Sequence, residues 1–160
     1  MIRKTIFGGL WLKALCLCCI AFSSLAIGAV HEVKHGESIQ AAVAEAKAGD
    51  TIKVFPGTYH ETIYVDKDDI SLVGMVENGE WPHLDGQKIL NDAILYSGNG
   101  FSVEWFKITN YKGNAIMGQS GNNFSIRNNW VIDTGLYGIF PEFGHNGLIE
   151  NNILSEIEDA

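Results

Sequence analysis

Beyond residue 29 the sequence has no cysteine and a single arginine, Arg127. Missing thiols exclude disulfides and thiolate metal sites, so stability must come from packing and backbone hydrogen bonds. Scarce basic charge excludes more. Eight Lys and Arg against 19 Asp and Glu leave residues 30–160 at a net −11, a field that repels nucleic-acid phosphates and anionic lipid head groups. Nucleic acid is therefore not an expected partner, and a polyanionic sugar would need a local basic strip or a bound cation. There is no nucleophile motif, phosphate-binding loop or EF-hand spacing.

What is present begins with a leader. Arg3 and Lys4 precede an apolar run through Leu10, Trp11, Leu12 and Ala14–Leu17 to Ile20–Phe22, and small residues follow. This order of charged, apolar and small-residue regions predicts a signal peptide over residues 1–29, cut after Ala26 or Ala29. The three cysteines (Cys16, Cys18, Cys19) all lie inside it, preceded by Leu15, Leu17 and Cys18 where a lipoprotein signal needs a small residue. The expected destination is secreted or periplasmic, with no membrane attachment after cleavage.

A short helix comes next. Ile39, Ala42, Val43 and Ala46 fall on one helical face, with Ser38 as the N-cap and Gly49 as the stop. Its apolar stripe needs a surface to cover, and an open sheet end is the natural one. From Asp50 onward the chain breaks into strand-like runs of three to five residues: Thr51–Phe55, Thr62–Val65 and Ile70–Val73, separated by Pro56-Gly57 and by Asp66–Asp69. These read as three strands of one rung, although a meander of hairpins would look the same.

An internal repeat decides between them. Phe101-Ser102-Val103 recurs as Phe124-Ser125-Ile126, an offset of 23 residues. The same offset relates Gly98, Gly121 and Gly144; Asn99, Asn122 and His145; Val103, Ile126 and Ile149; and Ile116 and Ile139. A fixed period in this range marks a solenoid. The spaced leucines of a leucine-rich repeat are absent, and 23 residues suit three short strands and three turns. Stacked rungs put equivalent side chains in contact, so Val103, Ile126 and Ile149 should form an interior column. Asn128/Asn151 and Asn129/Asn152 should form amide ladders, and the glycines should mark a turn that needs positive φ or close backbone approach. The expected fold is an all-β solenoid: a right-handed, three-sided parallel β-helix of about 23 residues per rung with a short N-terminal capping helix.

The stretch from Gly36 through Ile39-Gln40-Ala41-Ala42, Gly49-Asp50-Thr51-Ile52 and Pro56-Gly57-Thr58-Tyr59 resembles the opening of pectin-lyase-like β-helix proteins. Ile126-Arg127-Asn128-Asn129 and Ile149-Glu150-Asn151-Asn152 are similar to the right-handed parallel β-helix repeats of that superfamily, NosD-like periplasmic proteins included. The resemblance covers about residues 36–160. It implies a carbohydrate-active protein that binds or processes a polysaccharide as a lyase, epimerase or hydrolase. The alternative it leaves open is a non-catalytic scaffold or periplasmic assembly factor.

Elimination on a uronide needs a base and a cation to neutralise the uronate; hydrolysis needs two carboxylates flanking the bond. Trp81 and Asp85 sit in a stretch longer than a plain turn, where a substrate loop would lie, so both are candidate sugar contacts. The plainer expectation for Trp81 is packing against the cap helix. Arg127 alternates with inward-facing Ile126 and so points outward, as a possible polysaccharide contact or a solvated charge. Asp66, Asp68 and Asp69 form the one turn that would suit a calcium ion, but no cofactor is expected. His31 and His35 precede the helix in an expected mobile terminus. Asp133 and Glu156, one rung apart, are the only acidic column and read as surface charge. The last strand, Ile153-Leu154, is not followed by a cap, so residues 30–160 are expected to be the N-terminal portion of a longer, monomeric β-helix with no complete active site.

Overall fold

Inward apolar residues alternate with outward polar ones along most strands of the computed structural model, which describes residues 28–159. The leader read over residues 1–29 lies almost wholly outside these described residues. The chain starts with β1 (Val30–Val33) and α1 (Ile39–Glu45), then β2 (Thr51–Val54), β3 (Gly57–Tyr59), β4 (Ile63–Val65) and β5 (Ser71–Gly74). It continues through β6 (Pro82–Asp85), β7 (Ile94–Tyr96), β8 (Ser102–Glu104), β9 (Lys107–Tyr111) and β10 (Ile116–Gln119). Last come β11 (Ser125–Arg127), β12 (Trp130–Thr134), β13 (Ile139–Glu142), β14 (Leu148–Glu150) and β15 (Ile153–Ile157).

Three parallel sheets result. Sheet A is ordered β1-β2-β5-β8-β11-β14, sheet B β3-β6-β9-β12-β15, and sheet C β4-β7-β10-β13. The chain is thus an all-β, three-sided parallel solenoid with one short helix near its start. Along sheet A the register runs Val30↔Thr51, Thr51↔Ser71, Ser71↔Ser102, Ser102↔Ser125 and Ser125↔Leu148, advances of 21, 20, 31, 23 and 23 residues. Interior columns follow this register. Ile52, Leu72, Val103 and Ile126 stack inside sheet A; Leu84, Ile108 and Val131 inside sheet B; Ile63, Ile94 and Ile116 inside sheet C, all buried. In the last described rung the column ends on exposed Ile149 and Leu154.

Two details of the first rung differ from the sequence reading. Residues 30–33 form a strand of sheet A rather than a mobile terminus, and His31 Nε2 lies 2.9 Å from Asp50 Oδ2. Thr51–Val73 is not one rung, because β3 follows Pro56 directly and β5 already stacks on β2. A three-residue strand that opens on glycine looks like the end of a turn.

The helix is a cap in the geometric sense, with Ile39, Val43 and Ala46 buried against the core. Ser38 caps its start, accepting from Ala41 N–H at 3.1 Å. Glu61 accepts from the N–H groups of Ile39 (2.8 Å) and Gln40 (3.1 Å), and Lys67 Nζ donates to the carbonyls of Val43 (2.9 Å) and Ala44 (3.2 Å). A negative group thus meets the helix start and a positive group its end, as the dipole favours. Gln40 covers the free edge of sheet C: its Oε1 accepts from Tyr64 N–H at 2.6 Å and its Nε2 donates to Tyr64 O at 3.5 Å. The helix ends at Glu45, with Ala46 already extended, so Gly49 is not its stop.

Gly49 belongs instead to a corner that is left-handed in every rung. Gly49, Asp69, Gly100, Asn123 and Asn146 occupy it in turn, all with positive φ. Asn128 and Asn151 occupy a second such corner, at φ 56° and 57°, and are not ladder residues. The ladder there is Asn129/Asn152 alone. Asn129 N–H and Nδ2 donate to Asn152 Oδ1 (3.0 and 3.1 Å), and Asn129 Oδ1 accepts from Phe106 N–H (3.1 Å). Two more ladders hold the other corners: Asp68, Asn99, Asn122 and His145, and Asp92, Asn114 and Tyr137. Gly121 and Gly144 are required by proximity, since a Cβ on either would sit 2.7 Å from the carbonyl oxygen of the glycine one rung before.

Candidate functional site

The 31-residue rung exceeds its 23-residue neighbours because two insertions flank β6. The first, residues 75–81, folds as a hairpin: Glu77 and Glu80 exchange both backbone hydrogen bonds, at 3.0 and 2.8 Å. Asn78 and Gly79 between them are both left-handed, which a two-residue type I′ turn requires. The second insertion, residues 86–93, makes the same shape with the wrong residues. Ile89 N–H donates to Gly86 O at 2.9 Å around Gln87 (φ 53°) and Lys88 (φ 56°). A left-handed residue with a Cβ costs roughly 1–2 kcal/mol. Lys88 is held there twice, by its N–H to Asn110 O (2.8 Å) and by an ion pair between its Nζ and Asp133.

Between these insertions lies the outer face of sheet B. Thr58, His83, Lys107 and Trp130 stand in one column along it, each in register with the next. Trp81 ends the hairpin beside that column. Its ring centroid is 6.3 Å from that of Trp130, edge-on, and 5.9 Å from that of Trp105. Lys107 Nζ sits 5.1 Å above the Trp130 ring. Gly79, Glu80, Trp81, His83, Lys107 and Trp130 enclose a cavity of about 200 Å³.

Trp105 stands where the next two rungs carry Asn128 and Asn151, at the left-handed corner. Asparagine tolerates that conformation, whereas a bulky aromatic with φ 65° is a strained choice. Its indole is nonetheless 40 % exposed, so core burial does not explain it.

Charge on this face is fixed by hydrogen bonds. Partial burial works to raise the Asp85 carboxyl. Hydrogen bonds from Asn110 Nδ2 (2.8 Å) and Gln87 N–H (3.0 Å), with the nearby imidazoles of His83 and His60, outweigh it and hold the group below its ordinary value. The imidazole of His83 is shifted down, first by burial and then by the Lys107 charge, against the pull of Asp85. It is therefore neutral at pH 7, with Nε2 2.8 Å from Thr109 Oγ1. The face thus offers indole surfaces, one cation, a neutral imidazole and an ionised carboxylate.

No protein-family model, curated protein or solved structure matches this chain.

The geometry brings Trp81 and Asp85 to one face of one strand. Trp81 packs against other indoles there, away from α1, contrary to the plainer expectation. Arg127 is elsewhere, on sheet A, with its guanidinium 3.4 Å from Glu104. Among the described residues no three His, Cys, Asp or Glu side chains gather as a cation would require. In the Asp66–Asp69 turn, Asp68 accepts from Asn99 N–H at 2.7 Å. Asp133 is held by Lys88, and Glu156 lies exposed one rung on, at the equivalent left-handed position. Sequence reasoning did not single out His83 or Trp105 as site residues, and it met Trp130 only as the register partner of Lys107. A usable signal existed: Trp81, Trp105 and Trp130 recur at close to one rung's spacing.

Proposed function

We propose that the outer face of sheet B, between the two insertions, binds a polysaccharide or oligosaccharide, in an exported β-helix protein of the pectin-lyase-like kind. The observation that carries this reading is the convergence of Trp81, Trp105 and Trp130 beside a cavity of about 200 Å³. Indole faces take the C–H surface of a sugar ring, while Thr58, Glu80 and His83 offer hydrogen bonds to its hydroxyls. Lys107 is the local cation that the acidic chain would otherwise lack, and it suits an acidic unit in the glycan. Binding without turnover is the favoured form. The acidic side chains Asp85 and Asp133 on this face are committed to Asn110, Gln87 and Lys88, whereas hydrolysis needs two free carboxylates flanking the bond.

The test is calorimetric titration against a panel of neutral and acidic polysaccharides, with parallel recording of unsaturated-uronate absorbance. Micromolar to millimolar binding is expected, weakened about tenfold in Trp81→Ala, the loss of roughly one aromatic contact. Absence of binding across the panel, or full affinity in Trp81→Ala, would overturn the reading. Absorbance growth would convert the protein into a lyase.

A further inference from the structure

A second groove lies on the other side of the 75–81 hairpin. It measures about 380 Å³ and is lined by Val73, Gly74, Met75, Val76, Glu104 and Trp105. Its walls are apolar except for Glu104, whose carboxylate turns to Arg127. Val76 is 38 % exposed, so the groove is open to solvent. The cavity and the groove share one partition: Gly79, Glu80 and Trp81 face the cavity, and Met75 and Val76 face the groove. Across that partition the indoles of Trp81 and Trp105 lie 5.9 Å apart, so the two apolar surfaces are continuous.

Trp105 is the residue whose presence most needs a reason. Its position favours asparagine, as the two following rungs have, and the indole there strains the backbone without being buried. Strain of this kind persists where a side chain is needed for contact. From this we infer that the glycan recognised on this face carries an apolar substituent, an acyl, alkyl or aryl group. That group lies in the 73–76 groove across Trp105 while its sugar occupies the cavity beside Trp81. This rests on the carbohydrate reading and adds the chemistry of the ligand's substituent.

Paired methyl and octyl glycosides of glucose, galactose and mannose separate the two ideas. Each is titrated against the full chain below the micelle concentration, following tryptophan fluorescence and heat. At least one octyl glycoside should bind ten times more tightly than its methyl partner or better, as burial of an alkyl chain predicts. In Trp105→Asn, which restores the residue of the neighbouring rungs, that gain should fall below threefold while the melting temperature stays level or rises. Val76→Asp should lose the gain too. Trp81→Ala should weaken both glycosides alike. Equal affinity for octyl and methyl partners, with polysaccharide binding intact, overturns this inference and leaves the carbohydrate reading standing. An octyl preference untouched by Trp105→Asn also overturns it. Octyl binding that ignores Trp81→Ala, with no glycan bound, removes the sugar and ends both.

Discussion

Asn129 uses its whole side chain inside the coil. Oδ1 accepts from Phe106 N–H, and Nδ2 reaches Val103 O at 3.3 Å and Asn152 Oδ1 at 3.1 Å. Asn129→Leu leaves Phe106 N–H and Asn152 Oδ1 without that partner, so stability should fall by about 1–3 kcal/mol in urea titration. One position earlier the outcome should differ. Asn128 is a corner residue at φ 56°, so Asn128→Gly should change stability by less than about 1 kcal/mol. Equal losses at the two positions would contradict the ladder. Asp50 sets the acid limit at this scale. The N–H of Lys47, the His31 ring and the N–H of Ala29 hold its carboxyl at about 2, below the ordinary 3.8. A carboxyl shifted this way contributes its full stabilisation above pH 4 and loses it as pH falls towards 2. Asp50→Asn should flatten the pH dependence of stability across that window, and an unchanged slope would mean another group controls acid unfolding. The sequence showed that an Asn-Asn pair recurs. It could not show which amide points inward, because that depends on which residue takes the left-handed corner.

At the scale of elements, α1 is short and lacks a charged first or last turn of its own. Its charges come from Glu61 and Lys67, more than twenty residues away in sequence, and its apolar face from Ile39, Val43 and Ala46. Seven residues are too few for a stable isolated helix, so packing must hold it. Val43 is 1 % exposed, and Val43→Asp buries a charge there. The expected outcome is a lower melting temperature and concentration-dependent association by light scattering, as the end of the coil is uncovered. A soluble monomer with unchanged melting would show that the helix is not needed as a cover. The helix was legible from its apolar spacing and Ser38. Strand β1 was not, because nothing in Val30–Val33 marks it apart from its partner β2. The 31-residue rung was half legible: the extra length near Trp81 was visible, whereas the walls it builds depend on two turns that only backbone angles reveal.

For the molecule as a whole, the 23-residue identities were enough to give a three-sided parallel coil, since each rung must bury its apolar side chains against the next. The groove on sheet B was less accessible. Its tryptophans do not share one register position: Trp130 is within a strand, Trp105 at a corner and Trp81 at the end of an insertion. Only the fold makes them neighbours. The corner ladders, finally, have a mechanical consequence. Each amide oxygen ties one rung to the adjacent rung and to no other, at spacings of 22, 23 or 31 residues. Tension on the coil therefore loads one interface at a time. Under force such a stack would peel in steps of about one rung, each releasing a similar length of chain, and the rung carrying both insertions would release the longest.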